Sequence, residues 1–290
     1  MPSLKEIRAR IASVASTEKI TNAMKMVAAA KLKKSENTTL RFLPYKNKLN
    51  EALSNYLGSL EENVNIPLAE QREPKRIALL AFSSSSGLCG VYNANITKLF
   101  LKTYSDYAKM LGTDNVEVHL FGKKIVEFAE KNDIPITSKH KSVSEELSFE
   151  QTTQLSDQLV EQFLLHRIDR VVMVYNHHKN AGVQQPYVET ILPLATESTT
   201  KGQSFDYLVE PSKEEFVNKL VPKVIRTLFY SIMLDAMTAE HGARMTAMLI
   251  ASDNAATLLQ ELRRDYNRAR QNVITSELID IVGGAEALNK

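Results

Sequence analysis

At 290 residues, with 43% hydrophobic and 24% charged residues, the chain has material for one large globular domain or two smaller ones. A formal net charge of +2 is too near balance for a protein whose main business is coating nucleic acid or an acidic membrane. The single cysteine, Cys89, excludes an internal disulfide and fits a reducing compartment, and apolar runs such as 77–82 and 171–175 fall far short of a membrane span of roughly 18 residues.

From Ser3 to about Leu57 the only proline is Pro44 and there is no glycine, so the first element is a long helix. Leu4, Ile7, Ile11 and Val14, then Ile20, Met24 and Val27, follow the alternating three and four steps of a coiled-coil stripe, interrupted by the polar stretch 16–21. Pro44 predicts a bend near residues 40–42, after which Phe42, Tyr45, Leu49, Ala52, Tyr56 and Leu60 resume the stripe. Residues 1–34 hold eight lysines and arginines against Glu6 and Glu18, which makes this segment a basic rod.

Pro67 and Pro74 bracket a polar connection that marks a domain boundary. Beyond it, strands at 76–82, 116–121 and 170–175, and a fourth at 187–192, alternate with helices at 91–110, 123–132 and 149–166. That alternation predicts a small, mostly parallel, Rossmann-like α/β sheet. Ser212 and Glu215 form a capping-box pattern opening a last helix that runs almost to the end. Its stripe is Met245, Met248, Ser252, Ala255, Leu259, Leu262, Tyr266, Ala269 and Val273. Two unpartnered stripes, joined by a domain that lets the chain turn back, predict an antiparallel coiled coil. At 1.5 Å per residue the helices would be roughly 80 and 110 Å long, so the second overhangs the first. The expected division is 1–62 for the first helix, 75–205 for the α/β domain and 206–290 for a connecting segment and the last helix.

Few residue constellations suggest chemistry. The strand-to-helix loop 83–90 stands where α/β folds bind phosphates, but it lacks GxGxxG, and Gly122-Lys123-Lys124 lacks the rest of a P-loop. Cys89 reads as a buried thiol, because no histidine sits near it in sequence to activate it. His177 and His178 read as surface histidines, with no carboxylate spaced to complete a metal site. Glu145, Glu146 and Glu150 read as a solvated face. No cofactor or metal is expected. Arg263, Arg264, Arg268 and Arg270 add to the basic rod where the helices lie side by side, which points to an acidic partner loop.

Several ordered motifs carry a resemblance. YNRARQNVITSELIDIVGGA at 266–285, KEIR at 5–8, KITNAMKMVAAAK at 19–31, GLCG at 87–90 and ARMTAM at 243–248 resemble the gamma subunit of rotary F-type ATP synthases end to end. The resemblance implies a non-catalytic central rotor shaft that couples rotation of a membrane ring to the catalytic cycle. The implied partners are the alpha and beta subunits, the epsilon subunit and the c-ring, with no nucleic acid and no insertion into the bilayer. It further implies that Arg270 and Gln271 hold a beta-subunit catch loop, that Met24 and Lys25 belong to the facing stretch of the first helix, and that Thr275, Glu277 and Asp280 contact the bearing. Tyr207, Val209 and Glu210 match the foot that meets the ring and epsilon.

Two departures from the family pattern stand out. Ser84, Ser85 and Ser86 replace the charged residues usual in that loop, and the insertion carrying a regulatory dithiol in chloroplast relatives is missing, so no thiol switch is expected. The opening MPSLKE has no secretory signal and leaves no room for a presequence before the motif-bearing helix, which points to the cytoplasmic face of a bacterial membrane. The rival readings are a non-rotary coiled-coil adaptor and an α/β enzyme dimerised through its helical ends.

Overall fold

Helix α1 spans Leu4–Ser59 and starts on a reciprocal cap: Ser3 Oγ accepts the Glu6 amide at 3.3 Å, and Glu6 Oε2 accepts the Ser3 amide at 2.9 Å. The computed structural model describes residues 3–59, 66–140, 149–194 and 213–288. Ser212, proposed above as a helix cap, lies outside them, as do Glu145 and Glu146. Helix α5 spans Lys213–Leu288, and α1 and α5 continue through Pro44 and Pro222 as single helices. The expected bend near Pro44 therefore does not break α1.

Between them lie β1 (Ile77–Phe82), α2 (Tyr92–Leu111), β2 (Val116–Phe121), α3 (Lys123–Lys131), β3 (Ser138–His140), α4 (Phe149–Leu164), β4 (Arg170–Asn180) and β5 (Val183–Leu192). The sheet order is β3-β2-β1-β4-β5, parallel throughout except for β5, which returns antiparallel to β4. Two features were not foreseen. The three-residue strand β3 is too short and polar to show a period, and β4 runs on through His177 and His178 because β5 is long enough to pair with it.

The chain divides into two compact units, Met1–Ala28 with Met245–Lys290, and Ala29–Arg244. In the second unit every β1 residue is buried, and the period of two sends alternate side chains to opposite layers. Ile77, Leu79 and Ala81 pack with Phe100 of α2 and Ile125 of α3, whereas Ala78, Leu80 and Phe82 share a core with Phe163 of α4. That second core also contains Leu53 of α1 and Ile225, Phe229, Ile232 and Met233 of α5. The sequence divides the last helix from the α/β domain and pairs it only with the first helix. The early turns of α5 are instead one of the layers that cover the sheet.

Within this unit Ser35 meets Thr238, and Lys46 Nζ donates to Ser231 Oγ at 2.9 Å. The partner's number falls as that of α1 rises, so the two helices are antiparallel here.

Candidate functional site

In α/β proteins ligands enter at the carboxyl ends of the strands, where the strand order reverses. Loop 83–90 follows β1 at that point, and several of its polar groups are satisfied by protein partners within the loop and around it. Ser84 Oγ donates to Ser86 O at 2.6 Å, and Asn93 Nδ2 lies 2.7 Å from Ser84 Oγ and 3.1 Å from Cys89 Sγ. Ser83 Oγ accepts the Ile125 amide at 2.9 Å, and a Cβ on Gly122 would stand 2.2 Å from Ser83 O, so this close approach requires glycine.

Helix α5 fills the crevice. Cys89 and Tyr92 pack on Ala239 and Ala243, and Tyr92 Oη donates to Ala236 O at 3.0 Å. Burial pushes the Tyr92 phenol well up, with Glu240 adding to the effect. Arg244 Nη1 donates to Glu240 Oε1 at 2.8 Å, and its Nη2 donates to Ser86 Oγ at 2.9 Å. Cys89 is buried, as expected, and Ser86 accepts the guanidinium that ties α5 to the loop.

His177 is exposed, as expected of a surface histidine, whereas His178 is half-buried, and both have carboxylate neighbours that the sequence did not reveal. His177 Nδ1 lies 2.6 Å from Asp235 Oδ2, the His178 amide donates to Asp235 Oδ1 at 2.9 Å, and His178 Nε2 is 3.7 Å from Glu36 Oε1. The carboxylates come from α5 and α1, far away in sequence, so local spacing could not reveal them. Among the described residues no group of three or more His, Cys, Asp or Glu side chains could hold a metal, and no helix is long and apolar enough to cross a membrane.

The other unit is a helix pair. Along its first helix Leu4, Ile7, Ile11, Val14, Glu18, Thr21, Lys25 and Ala28 form an unbroken heptad of buried or half-buried positions, with Ala15 and Met24 half-buried beside it. The predicted stripe holds at Met24 but fails at Ile20 and Val27. Both are 57% exposed, because the seam keeps its phase through the polar residues Glu18, Thr21 and Lys25. Seven residues apart, Ile20 and Val27 share one outward apolar line that strict counting from Leu4 would have found, while Met26, at 59%, is exposed about 100° round the helix. On α5 the predicted stripe holds from Met245 to Ala269, and only Val273, 42% exposed, falls outside it.

Arg8 Nη2 donates to Tyr266 Oη at 2.7 Å, and its guanidinium stacks 5.6 Å from the ring centre. That contact sets the level at which the proposed contact residues stand. Arg270 and Gln271 are exposed beside the opening turns of α1, and Thr275 Oγ1 donates to Gln271 O at 2.9 Å. Met24 and Lys25, both half-buried, do not face Arg270: the rise from Arg8 to Met24 is about 24 Å along the helix. Tyr207, Val209 and Glu210 lie outside the described residues.

Past Ala269 the seam ends. Every described side chain from Arg270 to Val282 is exposed, including Thr275, Glu277 and Asp280 and the large apolar Ile274, Leu278, Ile279, Ile281 and Val282. Fully burying one such residue contributes about 1.5–3 kcal/mol, so this tip carries on the order of 10 kcal/mol of unused burial. Arg263, Arg264 and Arg268 are exposed just before it.

A family model described as ATP synthase matches residues 3–288. The ATP synthase gamma chain of Bacteroides fragilis is 43% identical over 292 residues, spanning 99% of this chain and all of the relative. That of Flavobacterium johnsoniae is 43% identical over 290 residues, spanning the whole of both. Among solved structures, a chain of the Euglena gracilis mitochondrial ATP synthase superposes with a TM-score of 0.66 at 19% identity, covering 98% of this chain and 94% of that one. One from the central stalk and c-ring structure of Tetrahymena thermophila gives 0.58 at 23% identity, covering 80% and 99%. At those identities the structures speak for the fold, and the full-length relatives for the family: the chain belongs to the ATP synthase gamma chain family, the non-catalytic central-stalk subunits of F-type ATP synthases.

Proposed function

We propose that the chain is the rotating shaft of its enzyme, inserted into a ring of three alpha and three beta subunits that hold the nucleotide sites. The observation that carries this reading is the bare end of α5, a single helix with arginines and then large apolar side chains all exposed. Such a tip suits a sleeve of partner surface on every side.

A helix pair that presents different side chains in different directions contacts each beta subunit differently and so biases each toward a different conformation. Arg270 and Gln271 would grip an acidic catch loop, for which a guanidinium fork is suited. Thr275, Glu277 and Asp280 would run in the bearing, while Met24, Lys25 and the exposed Ile20, Met26 and Val27 would meet a beta subunit lower on the shaft. Tyr207 and Glu210 belong to the foot proposed to meet the c-ring and the epsilon subunit. In this division of labour residues 1–62 and 206–290 transmit torque and 75–205 anchor the shaft.

Rotation of the ring driven by protons would then drive ATP synthesis, and hydrolysis would reverse it. Bacterial relatives such as those of Bacteroides and Flavobacterium support a peripheral site on the cytoplasmic face of the plasma membrane. Co-purification followed by low-resolution imaging tests the reading. The expected result is this chain on the axis of an alpha–beta ring; recovery without those partners, under conditions that keep such complexes intact, would contradict it.

A further inference from the structure

At the amino-terminal edge of the parallel strands, away from the filled crevice, the segment entering β1, the turn between α4 and β4, and Asn115 ahead of β2 enclose a cavity of about 670 Å³. Its lining has four permanent cations, Arg72, Lys75, Arg76 and Arg167, against two carboxylates, Glu73 and Asp169.

One carboxylate is already committed. Asp169 Oδ2 accepts the amides of Lys75 and Arg76 at 2.8 and 3.1 Å, and its Oδ1 lies 3.7 Å from Arg72 Nε. Arg72 is fixed as well: its guanidinium sits 4.2 Å over the Phe163 ring, and Nη2 donates to the carbonyls of Phe163 and Ile168 at 3.0 and 3.3 Å. Its Nε is nonetheless buried with no hydrogen-bond acceptor. The side chains of Lys75, Arg76 and Arg167 stand around this fixed pair, with only Glu73 left to balance them.

We propose that this cavity binds an oxyanion of the phosphate class, carried either by a phospholipid headgroup or by a free phosphate compound. The geometry separates two roles. Arg72 and Asp169 hold the three segments together, and Lys75, Arg76 and Arg167 supply three heads that can close on one ligand from different sides. Charge-assisted bonds from guanidinium and ammonium groups to phosphate oxygens are the chemistry such a rim offers. The cations come from two segments far apart in sequence, 72–76 and 167, so no linear basic motif marks the site. The proposal is independent of the shaft reading.

The test compares the full-length chain with Lys75→Gln/Arg76→Gln/Arg167→Gln and with a charge-matched control, Lys98→Gln/Lys102→Gln/Lys109→Gln, on exposed and half-exposed turns of α2. Far-UV circular dichroism establishes that all three are folded. Pyrophosphate is titrated calorimetrically, and sedimentation with phosphatidylcholine vesicles, with and without phosphatidylglycerol, measures lipid binding. The expected result is a loss of about tenfold or more in affinity for at least one probe in the cavity variant and little change in the control, weakening further as salt rises. Loss with pyrophosphate identifies a free phosphate compound as the ligand; loss with phosphatidylglycerol vesicles alone identifies a headgroup. Equal binding by the cavity variant and the control, or no binding of either probe by the parent chain, overturns the proposal.

Discussion

His241 sits 8% exposed in α5 with its Nδ1 buried and unpartnered. Burial, with help from Arg244 and Lys31, lowers its pKa to about 4. The folded state thus prefers the neutral ring, so the stabilisation is complete above the ordinary histidine value of about 6.5 and is lost as pH falls from there toward 4. Thermal melts of the full chain across that window should drop by up to about 3 kcal/mol, and His241→Gln should flatten the drop. An unchanged slope in the variant would show that the ring does not report the fold's acid sensitivity. Arg244, three residues on, pairs with the buried Glu240, so Arg244→Ala removes a charge-assisted bond from a buried carboxylate and should cost about 2 kcal/mol in denaturant unfolding. At the exposed end of α5, Arg270→Ala with Gln271→Ala should leave the stability within about 0.5 kcal/mol of the parent while weakening torque in the assembled enzyme. Unchanged coupling in that double variant would remove the catch role.

The apolar line on α1 yields a prediction at the level of the element. Ile20 and Val27 are exposed, so Ile20→Asp with Val27→Asp should leave the helix pair as stable as before by circular dichroism and melting, yet reduce recovery of assembled complexes. Ile7→Asp, by contrast, enters the buried seam and should unfold the pair's end by several kcal/mol.

The two helices also differ in what a linear pattern can convey. On α5 the seam is almost wholly apolar, and its period was legible from Met245 to Ala269. On α1, Glu18, Thr21 and Lys25 occupy seam positions, so hydrophobicity alone drew the stripe to Ile20 and Val27, off the true phase. Strands β1 and β4 announced themselves through continuous apolar runs, as buried parallel strands do, and β2 through the alternation of Val116, Val118 and Leu120 with Glu117 and His119. β3 did not, having three polar residues and one pairing partner. The links from His177 to Asp235 and from Ser86 to Arg244 join elements far apart in the chain, and only the fold brings them together.

Across the whole chain, the two compact units suit two demands on one subunit. In Ala29–Arg244 the long helices are fixed to a sheet by apolar layers and by polar links such as His177 to Asp235, and to each other by Lys46 to Ser231, which favours stiffness. In Met1–Ala28 with Met245–Lys290 the described residues pair the two helices along one seam, and every described α5 side chain from Arg270 to Val282 is exposed. The family membership was legible because the terminal motifs are contiguous. The level of each contact residue along the helix pair was not, because it follows from a register marked by contacts such as Arg8 to Tyr266, which join opposite ends of the chain. The most direct test holds the alpha and beta subunits of the assembled enzyme on a surface, labels this chain, and follows it by single-molecule imaging as ATP is hydrolysed. The account predicts one-way rotation with three equally spaced pauses per turn; a label that stays fixed while ATP turns over would contradict it.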